Sequence, residues 1–450
     1  MKPCQRGSVS LSLAIAVLAW ACQDPNSVDP PSATELTSTV ESPTAPSTPY
    51  PSDYAYAVPT GLASLSWTPS SVNDGSTITY DVYCGVDTLP AVPAATGLSL
   101  AAWTIPATLS GAKDYRWKVV ARTSNGSSTS SPTWSFMTAG VISDYETRIP
   151  DAALRSALAS ATMKSWGDIS TDDLDAIEEL YVSESSIVDI TGIELCHSLR
   201  ILNASYNSIT EISALRRLFM LERLFLQSNK ISDISPLAGL SRLQFLRLHT
   251  NPIPFEGVSE VVTRDNYPDL IALSLRGLMS GTTYITSSQL VSVLSDFEGL
   301  QNLVLRSFPD ITESQLSDIT TRFAGTLDWL TIGSSRLTDA MFVSCIAGLP
   351  ALSGLDVGWN NLTEAAFAGT PSYAPEWEAS LNFLCIDGNT GISNIGFLKD
   401  MYDAGSFQAE GAEVYMEYME LNHDEGTAND AVLDYLVGEG LAIYYENQTE

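Results

Sequence analysis

Apolar and polar residues alternate in a unit that recurs every 22 residues from position 177 onward. Leu221-x-x-Leu224-x-Leu226-x-x-Asn229 shows the unit, and three further copies begin at Ile177, Leu199 and Leu243. The alternating trio predicts a short strand with its apolar side inward, so Leu226 should point into the core and Gln227 outward. One unit cannot bury its own apolar face. Neighbouring units must therefore stack, which predicts a solenoid with a parallel sheet.

Beyond residue 253 the period lengthens, but the strand signature persists. The later signatures begin at Leu270, Leu300, Leu327, Leu352, Leu381 and, more weakly, Met416. Longer units predict helices on the convex side, such as 286–297, where Thr286 can act as the N-cap. Residues 429–445 predict a last helix and a covering strand. The solenoid is thus expected over 177–450, with about ten units.

A second pattern, strict alternation between Gly, Asn and Ser turns, occupies residues 54–139. It predicts the strands of an antiparallel sandwich. Ile78, Tyr80, Val82 and Cys84 would share one face of a strand, and Tyr115, Trp117, Val119 and Ala121 one face of another. Residues 140–176 lie between sandwich and repeats and predict a helical N-terminal cap.

The sandwich resembles a bacterial fibronectin type III domain. The resemblance rests on the early Trp67, the Tyr80-x-Val82 strand and Leu109 six residues before Tyr115, a spacing that suits a tyrosine corner. It covers the whole segment and implies a spacer module. The complete fold class is then an all-β sandwich followed by an α/β leucine-rich-repeat solenoid with parallel strands on the concave face.

The repeats resemble those of internalin-like bacterial surface proteins, most clearly in the segment from Asn229 to Leu237. Residues 149–158 look like the helical cap of such arrays, with Pro150 suited to a first helical turn and Ser170 able to start a second helix. Internalins carry their immunoglobulin-like module after the repeats, whereas the sandwich precedes them here. The resemblance implies recognition at the cell surface and leaves the receptor open.

Residues 1–22 resemble a secretory signal peptide, with Lys2 and Arg6 before a short apolar run. The run ends in Ala-Trp-Ala-Cys, and two readings stay open. Ala-x-Ala suits ordinary cleavage, while Cys22 would be the lipidated residue of a bacterial lipoprotein signal. Residues 23–53 are rich in Pro, Ser and Thr and predict a disordered spacer. Export, with a membrane contact only through an N-terminal lipid, is the expectation.

Charge and composition narrow the function further. The chain has 450 residues and a formal net charge of −31, which disfavours nucleic acid and anionic membranes as partners. Residues 361–450 hold 17 Asp and Glu against one Lys, whereas 200–247 are rich in bases. None of the six cysteines forms a CxxC pair, so no zinc or redox motif is present.

No motif for catalysis, phosphate binding or metal binding occurs in the sequence. Only three His exist, and the stretch 422–426 lacks the closing Glu of a calcium loop. The sequence therefore predicts a binding protein that is not an enzyme and has neither cofactor nor metal. A structural envelope or matrix component without a ligand is the alternative, and an accessory role beside a secreted hydrolase is a third.

Aromatic and basic residues occupy the positions between the repeat leucines, which face the concave side of such solenoids. Arg with Tyr, Trp and Phe is the composition of interface hot spots. The expected ligand is an extracellular protein or glycan. Glu179 and Glu222, or the acidic C-terminal region, could instead neutralise the arginines. The predicted ligand-binding residues are Tyr206, Arg223, Phe225, Phe245, Arg247, His249, Arg276, Arg306, Trp329 and Trp359.

Overall fold

The computed structural model describes residues 41–275, 279–280, 283–350, 352–367, 381–419, 421 and 427–445. Its strands are β1 (Ser47–Tyr50), β2 (Ala55–Val58), β3 (Ser64–Thr68), β4 (Ile78–Val86), β5 (Ala95–Leu98), β6 (Ala102–Thr104), β7 (Asp114–Thr123), β8 (Ser128–Ser130), β9 (Trp134–Thr138), β10 (Glu179–Tyr181), β11 (Ile201–Asn203), β12 (Arg223–Phe225), β13 (Phe245–Arg247), β14 (Ala272–Ser274), β15 (Met279–Ser280), β16 (Thr283–Tyr284), β17 (Asn302–Val304), β18 (Trp329–Thr331), β19 (Gly354–Asp356), β20 (Phe383–Cys385), β21 (Glu413–Tyr415) and β22 (Ala442–Tyr444).

The helices lie in the cap and on the side of the repeats away from the long sheet. They are α1 (Tyr145–Arg148), α2 (Ala152–Thr162), α3 (Thr171–Asp175), α4 (Phe255–Val261), α5 (Ser287–Leu294), α6 (Glu313–Phe323), α7 (Asp339–Cys345), α8 (Gly396–Ala404) and α9 (Ala428–Gly438). Short 3₁₀ turns replace helices elsewhere, at Trp166–Asp168, Ile193–Leu195, Ser213–Arg217, Ser235–Leu237 and Glu364–Ala366. The 22-residue units thus carry 3₁₀ turns and most of the longer units α-helices, as the longer period predicts.

Two sheets form the N-terminal β region. One has the order β1-β3-β6, and the other β2-β9-β7-β4-β5 with β8 beside β7. All pairs are antiparallel except β2 with β9. Trp67 packs edge-on against Tyr80 at 5.3 Å between ring centroids, and Trp117 is fully buried. The Tyr115 hydroxyl accepts a hydrogen bond from the amide of Ser110 at 2.9 Å, the contact expected of a tyrosine corner.

Eleven parallel strands form the long sheet of the repeats, in the order β10-β11-β12-β13-β14-β17-β18-β19-β20-β21-β22. The strands pair in step, so the middle residues Leu202, Leu224, Leu246, Leu273 and Leu303 form one buried row. β22 is the covering strand expected after α9. The predicted parallel sheet and stacked core are confirmed.

An asparagine ladder closes the turn after the strands. Asn229 accepts from the amide of Ile209 at 3.0 Å and donates to the carbonyls of Ala204 and Leu226 at 2.9 and 3.0 Å. Equivalent bonds are made by Asn207, Asn251, Asn360 and Asn389. These side-chain amides therefore satisfy backbone groups that the bend would otherwise leave unpaired.

Side-chain caps begin the helices at the expected places, with one shift. Ser170 and Thr286 each accept a bond from the third residue of the following helix. The first cap helix begins at Ala152, because Asp151 is its N-cap and accepts from the amides of Ala153 and Leu154. Pro150 therefore lies before the helix, and its placement in the first turn was wrong.

Leu226 is fully buried, as predicted, but Gln227 is buried as well, with only 8% of its surface exposed. Gln227 is therefore covered rather than exposed to solvent, contrary to the exposure that an outward position implies. The backbone carbonyl of Gln227 accepts from the backbone amide of Tyr206. The backbone amide of the next residue, Ser228, donates to the backbone carbonyl of His249. Ser205 and His249 hold the equivalent positions in the adjacent repeats, and side chains at equal positions on neighbouring strands cover one another.

The β region is packed onto the repeats through a shared core. Ala112 and Met137 belong to the same buried cluster as Ile149, Leu154 and the repeat leucines. Polar contacts cross the same junction: Lys113 pairs with Asp144 at 2.8 Å, and Arg148 donates to the carbonyl of Ala112 at 2.9 Å. The two parts therefore meet through a packed interface.

Candidate functional site

The solvent side of the eleven-stranded sheet, here called the sheet face, carries most of the predicted site. Each strand buries its middle residue and presents its first and third residues on this side. In a solenoid of this class the parallel sheet lines the concave surface. Five residues after the start of a strand, the chain turns through a left-handed residue. Tyr206, Trp359 and Tyr418 hold this turn position, with φ of 54°, 57° and 56°.

Two arginines and two phenylalanines form crossed pairs on β12 and β13. Arg223 is in register with Phe245, and Phe225 with Arg247. The guanidinium of Arg223 lies 4.6 Å from the centroid of the Phe245 ring, and that of Arg247 lies 5.1 Å from the Phe225 ring. Both arginines are exposed, and both rings are half-buried. The two strands therefore present a patch in which each cation rests on an aromatic face.

The carboxylates expected to neutralise this patch are engaged elsewhere. Glu222 binds Arg200 through two bonds, of 3.0 and 2.9 Å. Glu179 accepts from the Tyr181 hydroxyl at 2.9 Å. Within the described part of the chain, neither Arg223 nor Arg247 has an ion-pair partner. Partial burial lowers the pKa of Arg247, as expected for a guanidinium that loses water without gaining a carboxylate.

Tyr206 and His249 flank the crossed pairs. Tyr206 has 54% of its surface exposed and lies in the turn after β11 rather than on a strand. The His249 ring nitrogen Nδ1 lies 2.8 Å from the hydroxyl of Ser274 on the next strand. With Arg223, Phe225, Phe245 and Arg247, these two residues make up what we call the N-terminal zone.

Arg306 is set apart from the N-terminal zone. It follows β17, two strands beyond β13, and its guanidinium lies 3.9 Å from the carboxylate of Asp356. Its side chain crosses Gly333, where a Cβ atom would lie 2.8 Å from the Arg306 Nε. The predicted arginines therefore differ in their surroundings, since Arg306 has an acidic neighbour that Arg223 and Arg247 lack. Arg276 and Cys22 lie outside the described residues.

Trp329 lies flat on Gly354 of the next strand, and Trp359 lies flat on Gly388 in the turn that follows β20. A Cβ at Gly354 would come within 2.1 Å of the Trp329 ring, and one at Gly388 within 2.6 Å of the Trp359 ring. The missing side chains let each indole reach one strand further. Trp329 meets Phe383 at 4.6 Å and Trp359 meets Tyr418 at 5.3 Å between ring centroids. Each indole thus has one face on backbone, and 48% of the surface of Trp359 is exposed.

Further aromatic and acidic residues surround these indoles and are not among the predicted ligand-binding residues. The Phe383 ring packs against the Tyr415 ring at 5.5 Å between centroids, and the Tyr415 ring stacks on the Tyr444 ring at 4.3 Å. The acids Asp356, Asp387, Glu413 and Glu417 lie beside the rings. Together with Trp329, Trp359, Phe383, Tyr415, Tyr418 and Tyr444 they form what we call the C-terminal zone. Glycine at a position that holds a large residue in other repeats was the signal that could have revealed it.

The carboxylates of the C-terminal zone crowd one another. Burial, with a contribution from the nearby Asp356, raises the pKa of Asp387 above the usual range of an aspartate. Asp387 also accepts from the amide of Glu417 at 2.6 Å. On the sheet face of β18 to β22, as far as the structure describes it, Arg306 is the single base within reach. This zone is therefore acidic and aromatic, whereas the N-terminal zone is basic and aromatic.

Neither zone assembles a recognisable metal site. Among the described residues, no three His, Cys, Asp or Glu side chains are grouped so that they could hold a metal ion. The stretch 422–426 lies outside those residues. In the same part of the chain no helix has the length and apolar character needed to cross a bilayer.

Comparison with known proteins places this geometry in context. Residues 220–260 match the family of leucine rich repeats in two copies. No curated protein matches the chain. Among solved structures it is similar to an internalin (inlF) from Listeria monocytogenes, with 20% identity, a TM-score of 0.40, and coverage of 67% of this chain and 92% of that one.

Two further structures from Listeria monocytogenes are similar to a like degree. Internalin C2 has 21% identity and a TM-score of 0.35, with 63% of this chain and 100% of that one covered. The functional domain of InlJ has 19% identity and a TM-score of 0.38, with 67% and 61% covered.

Proposed function

We propose that this protein is a non-enzymatic surface protein that binds an extracellular protein through the sheet face of its repeats. One observation carries the proposal: the crossed pairs of Arg223 with Phe245 and Arg247 with Phe225 are presented to solvent without a compensating carboxylate. Two guanidiniums at diagonal positions of adjacent strands, roughly 7 Å apart, repel each other by about 0.5 kcal/mol in water. An acidic patch on a partner would remove that cost, and the half-buried rings would supply apolar contact area.

Export and anchoring belong to the same proposal. The basic start, the apolar run and the Ala-Trp-Ala-Cys sequence of residues 1–22 support export, and the Pro, Ser and Thr content of 23–40 supports a spacer. The spacer expected over 23–53 is too long, because Ser47–Tyr50 pairs with β3 as strand β1. With Cys22 lipidated, the spacer and a fibronectin type III-like module would hold the repeats away from the envelope. A protein held in this way is suited to adhesion or recognition.

The experiment compares three forms of the exported protein. Arg223→Ser with Arg247→Ser removes the bases of the crossed pairs. The control, Arg216→Ser with Arg242→Ser, removes two exposed bases that lie off the strands, so that both variants have the same net charge. Each form is immobilised and exposed to extracellular proteins of neighbouring cells, and the retained proteins are cross-linked and identified. The affinity of each is then measured against all three forms.

We expect a partner that the wild type and the off-strand control retain and that the crossed-pair variant binds about ten-fold more weakly. The loss should shrink at high salt, where screening already weakens wild-type binding. Equal retention by all three forms, with unchanged melting temperatures, would exclude the crossed pairs as the site. Retention of a glycan in place of a protein would redirect the proposal to carbohydrate.

A further inference from the structure

The C-terminal zone has the chemistry of a receptor for positive charge. Trp329 and Trp359 lie flat on Gly354 and Gly388, so each indole keeps one face on backbone and has the other on the solvent side. A flat aromatic face attracts cations through its quadrupole, most strongly for Trp. The rings are therefore placed as platforms rather than buried as core.

Carboxylates lie around these platforms. Glu413 accepts from the Tyr415 hydroxyl at 3.2 Å and Asp356 accepts from the amide of Gly358 at 3.0 Å, so both are oriented by their neighbours. Asp387 is held by the amide of Glu417. Carboxylates fixed beside exposed aromatic faces offer two interactions to one guanidinium, a paired hydrogen bond and a stacking surface.

The charge of this zone is not balanced within the described residues. Arg306 lies 3.9 Å from Asp356, and its charge also stabilises the carboxylate of Asp387. Neither Glu413 nor Glu417 has a basic partner among the ion pairs of the described chain. The surrounding chain deepens the field, because residues 361–450 contain 17 acids and one Lys. The charge of the zone is thus complementary to a cationic partner.

We propose that the C-terminal zone binds a basic, arginine- or lysine-containing segment of the partner protein. This inference rests on the sheet face being the binding surface, as proposed above. The two zones lie about 15 Å apart, three strand spacings along the sheet. They carry opposite charge, so they accept a partner with an acidic region toward β12 and a basic region toward β20. The face therefore fixes the direction in which the partner lies along the solenoid.

The test uses the exported protein and two synthetic probes: a short Arg-Ser repeat peptide, and the same peptide with citrulline in place of Arg. Citrulline keeps the shape of Arg and removes its charge. One variant combines Asp387→Asn, Glu413→Gln and Glu417→Gln, which keeps an oxygen acceptor at each position. Its control combines Asp400→Asn, Asp434→Asn and Glu439→Gln, three exposed acids on or next to α8 and α9.

A second pair of variants tests the platforms. Trp359→Leu removes an exposed ring of the C-terminal zone. Tyr181→Leu removes a ring that is 62% exposed at the opposite end of the sheet face. Binding is measured by calorimetry at about 0.15 M salt, and melting temperatures verify that each variant is folded.

We expect the Arg peptide to bind the wild type at least about ten-fold more tightly than the citrulline peptide. The acidic triple variant and Trp359→Leu should each lose about ten-fold, whereas both controls should bind as the wild type does. Equal binding of the two peptides, or equal loss in the control triple variant, would overturn the inference. If neither peptide binds while a partner still depends on Arg223 and Arg247, this inference fails and the proposed function stands.

Discussion

The side-chain oxygen of Asn229 accepts a hydrogen bond from the backbone amide of Ile209, twenty residues earlier and one repeat back, at 3.0 Å. Its amide nitrogen binds the carbonyls of Ala204 and Leu226 at the same time. One side chain thus satisfies three backbone groups of two repeats that the turn would leave buried and unpaired. The asparagine therefore links neighbouring units as well as turning the chain.

Asn229→Ala should lower the free energy of unfolding by about 2–4 kcal/mol, because buried backbone groups lose their partners. Asn302→Ala makes the same chemical change on the sheet face, where no hydrogen bond of the Asn302 side-chain amide is seen among the described residues. Chemical denaturation of both variants gives the measurement. A similar loss in the two would show that the ladder contributes little.

Gly354→Ala should cost about 1–3 kcal/mol, because the added methyl group overlaps the Trp329 ring. The ring must tilt away, which also breaks its contact with Phe383. Adding Trp329→Ala to Gly354→Ala should cancel most of the overlap penalty, so the double-mutant cycle should show strong coupling. Additive effects would mean that Trp329 does not lie on Gly354.

The junction between β region and repeats predicts a dependence on pH. The His197 ring packs at a tilt against the Tyr56 ring, with 3.9 Å between ring centroids, and burial lowers the pKa of His197, with Asp175 and Leu195 opposing that shift. The folded protein therefore favours the neutral ring. Stability from this group is complete above the unfolded pKa of about 6.5 and falls as the pH drops below it, because the unfolded chain takes up the proton first.

His197→Asn should remove that part of the pH dependence. Between about pH 7.5 and 5.5 the melting temperature of the wild type should fall more than that of the variant. Glu194 also lies at the junction, and burial raises its pKa, so its contribution falls with rising pH and has the opposite sign. Glu194→Gln should therefore keep the His197 effect. Parallel pH profiles for wild type and His197→Asn would contradict the prediction.

Cys22 is expected to be lipidated after removal of residues 1–21, because the apolar run ends directly before it and a Pro, Ser and Thr-rich segment follows. Mass spectrometry of the mature N-terminus measures the added acyl mass. Cys22→Ser should release the protein from the envelope into the medium. An unmodified Cys22, or a mature chain that begins elsewhere, would support ordinary signal cleavage.

The sequence predicted the parts of this fold that repeat and missed those that depend on single exceptions. Leu224 and Asn229 recur at a fixed period, and a periodic pattern reports the average environment of a position. Gly354 and Gly388 matter because they break the pattern, and their effect appears only when the preceding indole is seen to fill the gap. The burial of Gln227 was missed for a related reason, since the side chains that cover it belong to adjacent repeats rather than to its own strand.

The candidate site was predictable in its composition but not in its pairing. Alternation placed Arg223, Phe225, Phe245 and Arg247 on the sheet face, and the register then decided that each cation faces a ring. The partner of Arg306, by contrast, is Asp356, fifty residues later. No local pattern links two such positions, because their contact depends on how far a long side chain reaches across a glycine.

The sequential pairing of the strands from β10 to β22 determines how a pulling force would travel along the solenoid. Bonds between parallel strands run along the solenoid, so tension between its ends loads every strand interface in series, and the weakest opens first. A partner held on β12 and β13 and pulled against the N-terminal end loads only the interfaces from β10 to β13. A partner whose contacts extend to β20 would load every strand interface from β10 to β20. The position of the bound partner along the sheet thus determines how many repeats bear the load.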